Sequence, residues 1–158
     1  MSAGERNFEL RFAVSDDLDA MVALLPELAS FEIPPTREPE QLWHGDRDMI
    51  EDWAQGNRPE CFAIVATAND AIGGYAFVSM REELLSHAPS AHLEVLVVGP
   101  DARRAGLGER LSEAVQDEAR KRGAGSMTLH VFGRNERARA LYQKLGYDEE
   151  LIRAIKHL

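Results

Sequence analysis

Two arginines and two glycines crowd one short turn. Residues 97–108 read Val97-Val98-Gly99-Pro100-Asp101-Ala102-Arg103-Arg104-Ala105-Gly106-Leu107-Gly108 and join an apolar run to a helical pattern. At a helix start the backbone N–H groups have no partner and point at whatever lies before them, and the helix dipole adds partial positive charge. Glycines let a ligand approach the backbone and arginines neutralise it, so the turn suits a phosphate or pyrophosphate. A P-loop is excluded because Gly-Lys-Ser/Thr is absent. A dinucleotide fingerprint is excluded because Leu111 stands where a third Gly or Ala is required. An ordinary tight turn that tolerates glycine fits the same residues. Upstream, His92 and Glu94 alternate on one face of a strand.

The elements that must hold this turn follow from periodicity. Residues 8–14 alternate apolar and polar, as a strand does. Ser15 and Asp16 offer an N-cap, and Leu18, Met21, Val22, Leu25 and Leu28 follow at helical spacing. Pro34, Pro35 and Pro39 mark a loop over 31–40, before a weaker helix over 40–55. Strands are expected at 61–67 and 73–80, joined by an Asn69-Asp70 hairpin turn. After a connection at 81–90 comes a strong strand at 91–98. Leu107, Leu111, Val115 and Ala119 define a helix over 107–122, closed by Lys121, Arg122 and Gly123. A strand at 126–132 follows. Asn135 caps a helix carrying Ala138, Leu141, Tyr142 and Leu145, stopped by Gly146, and 151–157 suits a final strand. The order gives one α/β (α+β) domain over residues 1–158, with a central mixed, mostly antiparallel twisted sheet flanked by helices.

Composition narrows the function. The chain has 158 residues, 18 Lys and Arg against 27 Asp and Glu, and a net charge of −9. That disfavours nonspecific nucleic-acid binding; it suits a cationic substrate drawn in by the field, and equally an acidic surface that merely aids solubility. No apolar run reaches the roughly 20 residues that span a bilayer. Met1-Ser2-Ala3-Gly4-Glu5-Arg6 holds no apolar leader core, so the expected location is the cytoplasm. Cys61 is the single cysteine; it reads as a core thiol. With no His/Asp/Glu cluster at ligand spacing, no metal is expected.

Arg103-x-x-Gly106-x-Gly108, after a Val-Val-x-Pro strand exit, resembles the acetyl-CoA pyrophosphate loop of the GNAT N-acetyltransferases. Asn135-x-x-Ala138-x-x-Leu141-Tyr142-x-x-Leu145-Gly146-Tyr147 is similar to that family's second motif. The two motifs, in order and with a strand between them, cover residues 91–147; the N-terminal half agrees by element order only. The resemblance implies that Leu96, Val97 and Val98 pair with the pantetheine arm. It implies that Arg103, Arg104, Ala105, Gly106, Leu107, Gly108 and Glu109 form the pyrophosphate site, and that Asn135 contacts the cofactor as well as capping its helix. It also places Tyr142 before the sulfur of CoA. Family members commonly dimerise, so a homodimer is implied.

Acetyl transfer to an amine needs a neutral nucleophile, although an alkylamine titrates near 10. It also needs a stabilised carbonyl oxygen and a proton for the departing thiolate. Tyr142 is the candidate general acid. The strand Ala91-His92-Leu93-Glu94 is similar to that of the arylalkylamine N-acetyltransferases, with Glu94 in place of their second histidine. His92 and Glu94 are therefore the candidate bases, and either could instead only bind a cation. His130 reads as structural. Phe31, Glu32, Trp43, Asp46, Glu82, Glu83 and His87 fall where an acceptor groove would lie and suit an ammonium group. Two alternatives stay open, a non-catalytic acetyl-CoA sensor and an enzyme using another acyl-CoA; a third, a different nucleotide-binding α/β protein, is disfavoured by the missing lysine and the missing third glycine.

Overall fold

The computed structural model describes residues 7–158; the opening hexapeptide lies outside the described residues. Five strands form one sheet in the order in which they occur in the chain: β1 (Glu9–Phe12), β2 (Cys61–Ala68), β3 (Ala71–Glu82), β4 (Pro89–Val98) and β5 (Met127–Leu129). The first four are antiparallel neighbours, and β5 runs parallel to β4. The helices are α1 (Leu18–Leu24), α2 (His44–Ala54), α3 (Leu107–Lys121) and α4 (Glu136–Lys144). This is the mixed, mostly antiparallel sheet with flanking helices expected from the sequence.

Each face of the sheet carries its own core. Phe62, Ile64, Ala66, Ala76 and Val78 pack with Leu107, Leu111, Val115 and Ala119 of α3. Cys61, Ala63, Val65, Tyr75 and Phe77 pack on the other face with Met21, Leu25 and Ile50 from the α1–α2 side. Consecutive strand residues thus go to opposite faces, as the pleat requires. Strand β4 breaks that rule. Ala91 and Leu93 lie on the α3 face, whereas Val95 and Val97, of the same parity, lie on the α1–α2 face. The cause is a bulge: Phe77 opposes Val95 and Val78 opposes Leu93, which leaves Glu94 without a partner.

Local chemistry explains most boundaries. Asn69 and Asp70 have φ of 53° and 64°, so a two-residue loop closes the β2–β3 hairpin between Ala68 and Ala71. Pro26 lies in the 3-10 turn Leu25–Ala29, where α1 stops after seven residues. The expected cap at Ser15 and Asp16 is absent. Asp17 instead accepts the Val14 N–H at 2.8 Å and a two-pronged bond from Arg11. The stretch expected as one helix over 40–55 begins as a separate 3-10 turn, Pro39–Leu42, before α2. Strand β4 starts at Pro89, inside the expected connection, and β5 keeps only three of seven expected residues. The expected strand at 151–157 does not form; those residues are exposed and carry no regular structure. A strand needs a neighbour to hold its backbone, and among the described residues none pairs with them.

Gly74 is a packing constraint. A Cβ there would lie 2.7 Å from the Val97 carbonyl oxygen, which is backbone and cannot move aside. Gly74→Ala should destabilise the fold by roughly 1–3 kcal/mol through local overpacking, read as a lower denaturation midpoint at unchanged slope.

Candidate active site

The site arises where β4 and β5 part company. They pair only through Ala91–Met127, His92–Thr128 and Leu93–Leu129. Beyond Leu93, β4 runs on to Val98 with no strand beside that edge among the described residues, while the chain after β5 turns away through His130, Val131 and Phe132. The wedge opens into a cleft of about 850 Å³, within the ordinary range for small-ligand pockets. Leu96, Val97 and Val98 line it, as do Arg103, Arg104, Gly106, Leu107, Gly108, Glu109, Asn135 and Tyr142. His92 and Glu94 line it too, so one cavity gathers residues from three separate segments of the sequence, 92–98, 103–109 and 135–142. Ala105 does not line the cleft; it packs against the α3-side core.

The two ends of the cleft differ in charge. Arg103, Arg104, Arg134 and Arg137 line the end near the α3 N-terminus and the α4 start, together with Glu136 and with Glu27 and Glu109, which are paired to Arg103 and Lys144; Asp46 and Glu94 share the other end with His92. At the basic end, Arg104 and Gly106 both have left-handed backbone, with φ of 70° and 69°. Such a conformation at Arg104 costs about 1–2 kcal/mol. It turns the chain sharply so that α3 begins with its free N–H groups at the cleft. A Cβ on Gly108 would lie 3.2 Å from Leu141, so this glycine also sets how closely α4 approaches α3.

Several side chains are already committed. Arg103 donates from Nη2 to Glu27 Oε2 at 2.6 Å, so its guanidinium bridges to the turn after α1. Glu109 receives Lys144 Nζ at 3.0 Å, which leaves its backbone as the part free for a ligand. Asn135 Oδ1 accepts the Ala138 N–H at 3.2 Å and is a helix cap.

At the acidic end the groups are held more tightly. Glu94 accepts from Ser79 Oγ at 2.6 Å and Arg81 Nη2 at 2.9 Å. His92 Nδ1 lies 2.7 Å from Thr128 Oγ1, and its ring packs against His130 at 4.8 Å. Burial, then the charges of Arg81 and His130, push the imidazole down to about 4, so it is neutral near pH 7. Asp46, on the first turn of α2, is pushed up to about 7 by burial and then by Glu94, against the opposing pull of His44. Tyr142 is raised to about 12, chiefly by burial, and its ring meets Tyr147 edge-on at 5.7 Å. The partners Ser79, Arg81, Thr128 and Glu27 were not foreseen. Each is remote in sequence from the group it holds; Glu27 and Arg103 are 76 residues apart.

Comparison with known proteins agrees with this architecture. The Acetyltransferase (GNAT) family profile matches residues 23–147, and the chain belongs to that family. A ribosomal protein bS18-alanine N-acetyltransferase of Salmonella typhimurium is 32% identical over 127 residues, covering 80% of this chain and 81% of its own length. The corresponding Escherichia coli K12 enzyme is 45% identical over 58 residues, so this chain spans only 39% of that relative's length. An aminoglycoside N-acetyltransferase solved with CoA superposes with a TM-score of 0.72 at 22% identity, covering 98% of this chain and 95% of the other, a likeness of fold.

Proposed function

We propose that this protein moves the acetyl group of acetyl-CoA to a primary amine by direct attack. The observation that carries the reading is the charge-divided cleft. A strained, glycine-bearing helix start with arginines suits a pyrophosphate at one end, and buried carboxyl and imidazole groups suit an amine at the other. Acetyl-CoA supplies an activated acetyl thioester; the chain's own residues supply position and protons.

The free edge of β4 at Leu96–Val98 holds the pantetheine arm through backbone hydrogen bonds, as in strand addition. The amides of residues 104–109 hold the pyrophosphate, and Asn135 flanks it. Arg103 completes the anion site by exchanging Glu27 for phosphate. Tyr142 donates its phenolic proton to the leaving sulfur. Burial that raises the phenol also raises the basicity of a thiolate beside it, so the transfer stays feasible. His92 or Glu94 receives the proton shed by the amine. Glu94 is clamped by Ser79 and Arg81, which favours His92 as the mobile proton acceptor. In the tautomer that donates Nδ1–H to Thr128, His92 Nε2 carries a free lone pair. His92→Gln should lower kcat about 100-fold or more with little change in acetyl-CoA affinity.

The acceptor is an amine that arrives as a cation, which Asp46 and Glu94 attract. The named acceptors of relatives, a ribosomal-protein alanine and aminoglycosides, are chemically of that kind. The test is CoA thiol release from acetyl-CoA across alkylamines, aminoglycosides, amino acids and peptide N-termini. Amine-dependent release is expected; acetyl-CoA binding with no release on any amine would favour the sensor reading.

A further inference from the structure

The segment that follows α1 reaches from one wall of the cleft to the other. Leu25–Ala29 packs against β4 and against the turn Pro39–Leu42. Leu24 lies so near the end of β4 that a Cβ on Gly99 would meet it at 3.2 Å. From there the chain crosses to the far wall, where the ring of Phe31 meets that of Phe132, just after β5, at 5.7 Å between centroids. Glu27, Leu28, Ser30 and Phe31 all line the cleft. The segment 27–31 therefore bridges the wedge between β4 and the chain leaving β5, which is the path of the pantetheine arm in the proposed reaction.

Polar bonds from one arginine tie this bridge down. Arg103 Nη2 donates to Glu27 Oε2 at 2.6 Å and to Ser30 Oγ at 3.3 Å. None of residues 27–31 is fully buried, so little apolar packing opposes their displacement. The Arg103–Glu27 pair is itself open to solvent, at 31% and 29% side-chain exposure, and a pair of that kind is readily exchanged. A phosphate oxygen offers the guanidinium the same acceptor chemistry as the Glu27 carboxylate, with more charge. Two ligands of one kind, one internal and one arriving, thus compete for Arg103.

We propose that Glu27 stands in for a donor phosphate in the free protein, and that segment 27–31 is a strap that lifts when the pyrophosphate of acetyl-CoA takes Arg103. Glu27 is then a residue that sets donor affinity, because the closed strap lowers the fraction of molecules ready to bind. Lifting the strap parts Phe31 from Phe132 and clears the way for the thioester toward Tyr142 and His92. The inference rests on the reading that acetyl-CoA enters this cleft. A Glu27 that merely braced the fold would act in the opposite sense, since its removal would loosen the site.

Calorimetric titration of the full chain with CoA separates the competitor from the brace. Glu27→Gln, at a side chain open enough to tolerate the change, should bind CoA about three- to fivefold more tightly than the wild type, the weight of one partly exposed ion pair. Arg103→Gln should bind more weakly, and adding Glu27→Gln to it should alter affinity less than about twofold. A second readout follows the strap without any ligand. The chain holds six phenylalanines; with 4-fluorophenylalanine at each, Phe31→Leu assigns the Phe31 fluorine resonance. In free Glu27→Gln that resonance should move toward the position it takes in CoA-bound wild type. Unchanged or weaker CoA affinity in Glu27→Gln overturns the proposal, and so does a Phe31 resonance that keeps its wild-type position in the free variant. Binding without tightening removes the strap alone, whereas no CoA binding in any of the folded proteins removes the acetyl-CoA reading and the strap with it.

Discussion

Tyr142→Phe should lower kcat at least about 100-fold while leaving the acetyl-CoA dissociation constant within about twofold. The substitution removes one oxygen and nothing else. The ring keeps its edge-on contact with Tyr147 and its place against the α3-side core, so binding and folding are spared. What is lost is the proton for the leaving sulfur, a contribution of the size general acids ordinarily make. The phenol, raised to about 12, stays protonated across the working range. The wild-type rate should therefore show no loss on the alkaline side until well above pH 10. Steady-state kinetics beside calorimetric binding separates the outcomes. A fall in affinity equal to the fall in rate would mean that Tyr142 only shapes the pocket. An unchanged kcat would remove it from the chemistry.

Asp46→Asn should change stability and acceptor binding in opposite directions. The Asp46 carboxyl, on α2, is raised to about 7 by burial and by Glu94 of β4; His44 of α2 pulls it down, and the buried Tyr75 of β3 lies within its field. A carboxyl whose folded value exceeds its unfolded value near 4 binds its proton more tightly when folded. Its contribution is therefore fully favourable below pH 4 and is lost as pH rises to 7. Asparagine carries no charge to lose. The variant should gain on the order of 2–4 kcal/mol at pH 8 and almost nothing below pH 4, seen as a pH-dependent gap in denaturation midpoint. The same change removes the negative charge awaiting the acceptor. The KM for an alkylamine should rise about tenfold or more, the size of one lost charge-assisted contact, while that for aniline, neutral at pH 7, stays put. An acid limb near pH 7 in kcat/KM should vanish in Asp46→Asn and persist in His92→Gln. Equal KM changes for both amines would detach Asp46 from ammonium recognition.

Much of this architecture is readable from residue patterns. The α3 stripe of Leu107, Leu111, Val115 and Ala119 is strictly helical, and Asn69-Asp70 can close only a short hairpin. The cleft's defining event left no such trace. The bulge at Glu94 sits in Leu93-Glu94-Val95-Leu96-Val97-Val98, apolar on both sides, so a shift of face leaves no break in alternation. The splay of β4 from β5 is a property of two strands, not of either alone. His92 and Glu94 could be paired by spacing, but what holds them comes from β3 and β5. Arg103 could be placed in the loop, yet its bond to Glu27 depends on where Pro26 ends α1. The failed strand at 151–157 has the right pattern without a neighbour beside it. Pattern gives an element its propensity, and contact decides whether it forms.

The most direct test is a calorimetric titration of the purified full chain with acetyl-CoA, beside the same titration of Arg104→Ala. A single site of micromolar affinity, weakened about tenfold in the variant, is the predicted result. Absence of binding heat at several temperatures in the folded wild-type protein would contradict the account, because the turn from Arg103 to Gly108 would then not hold the ligand for which its strain, glycines and charge are arranged.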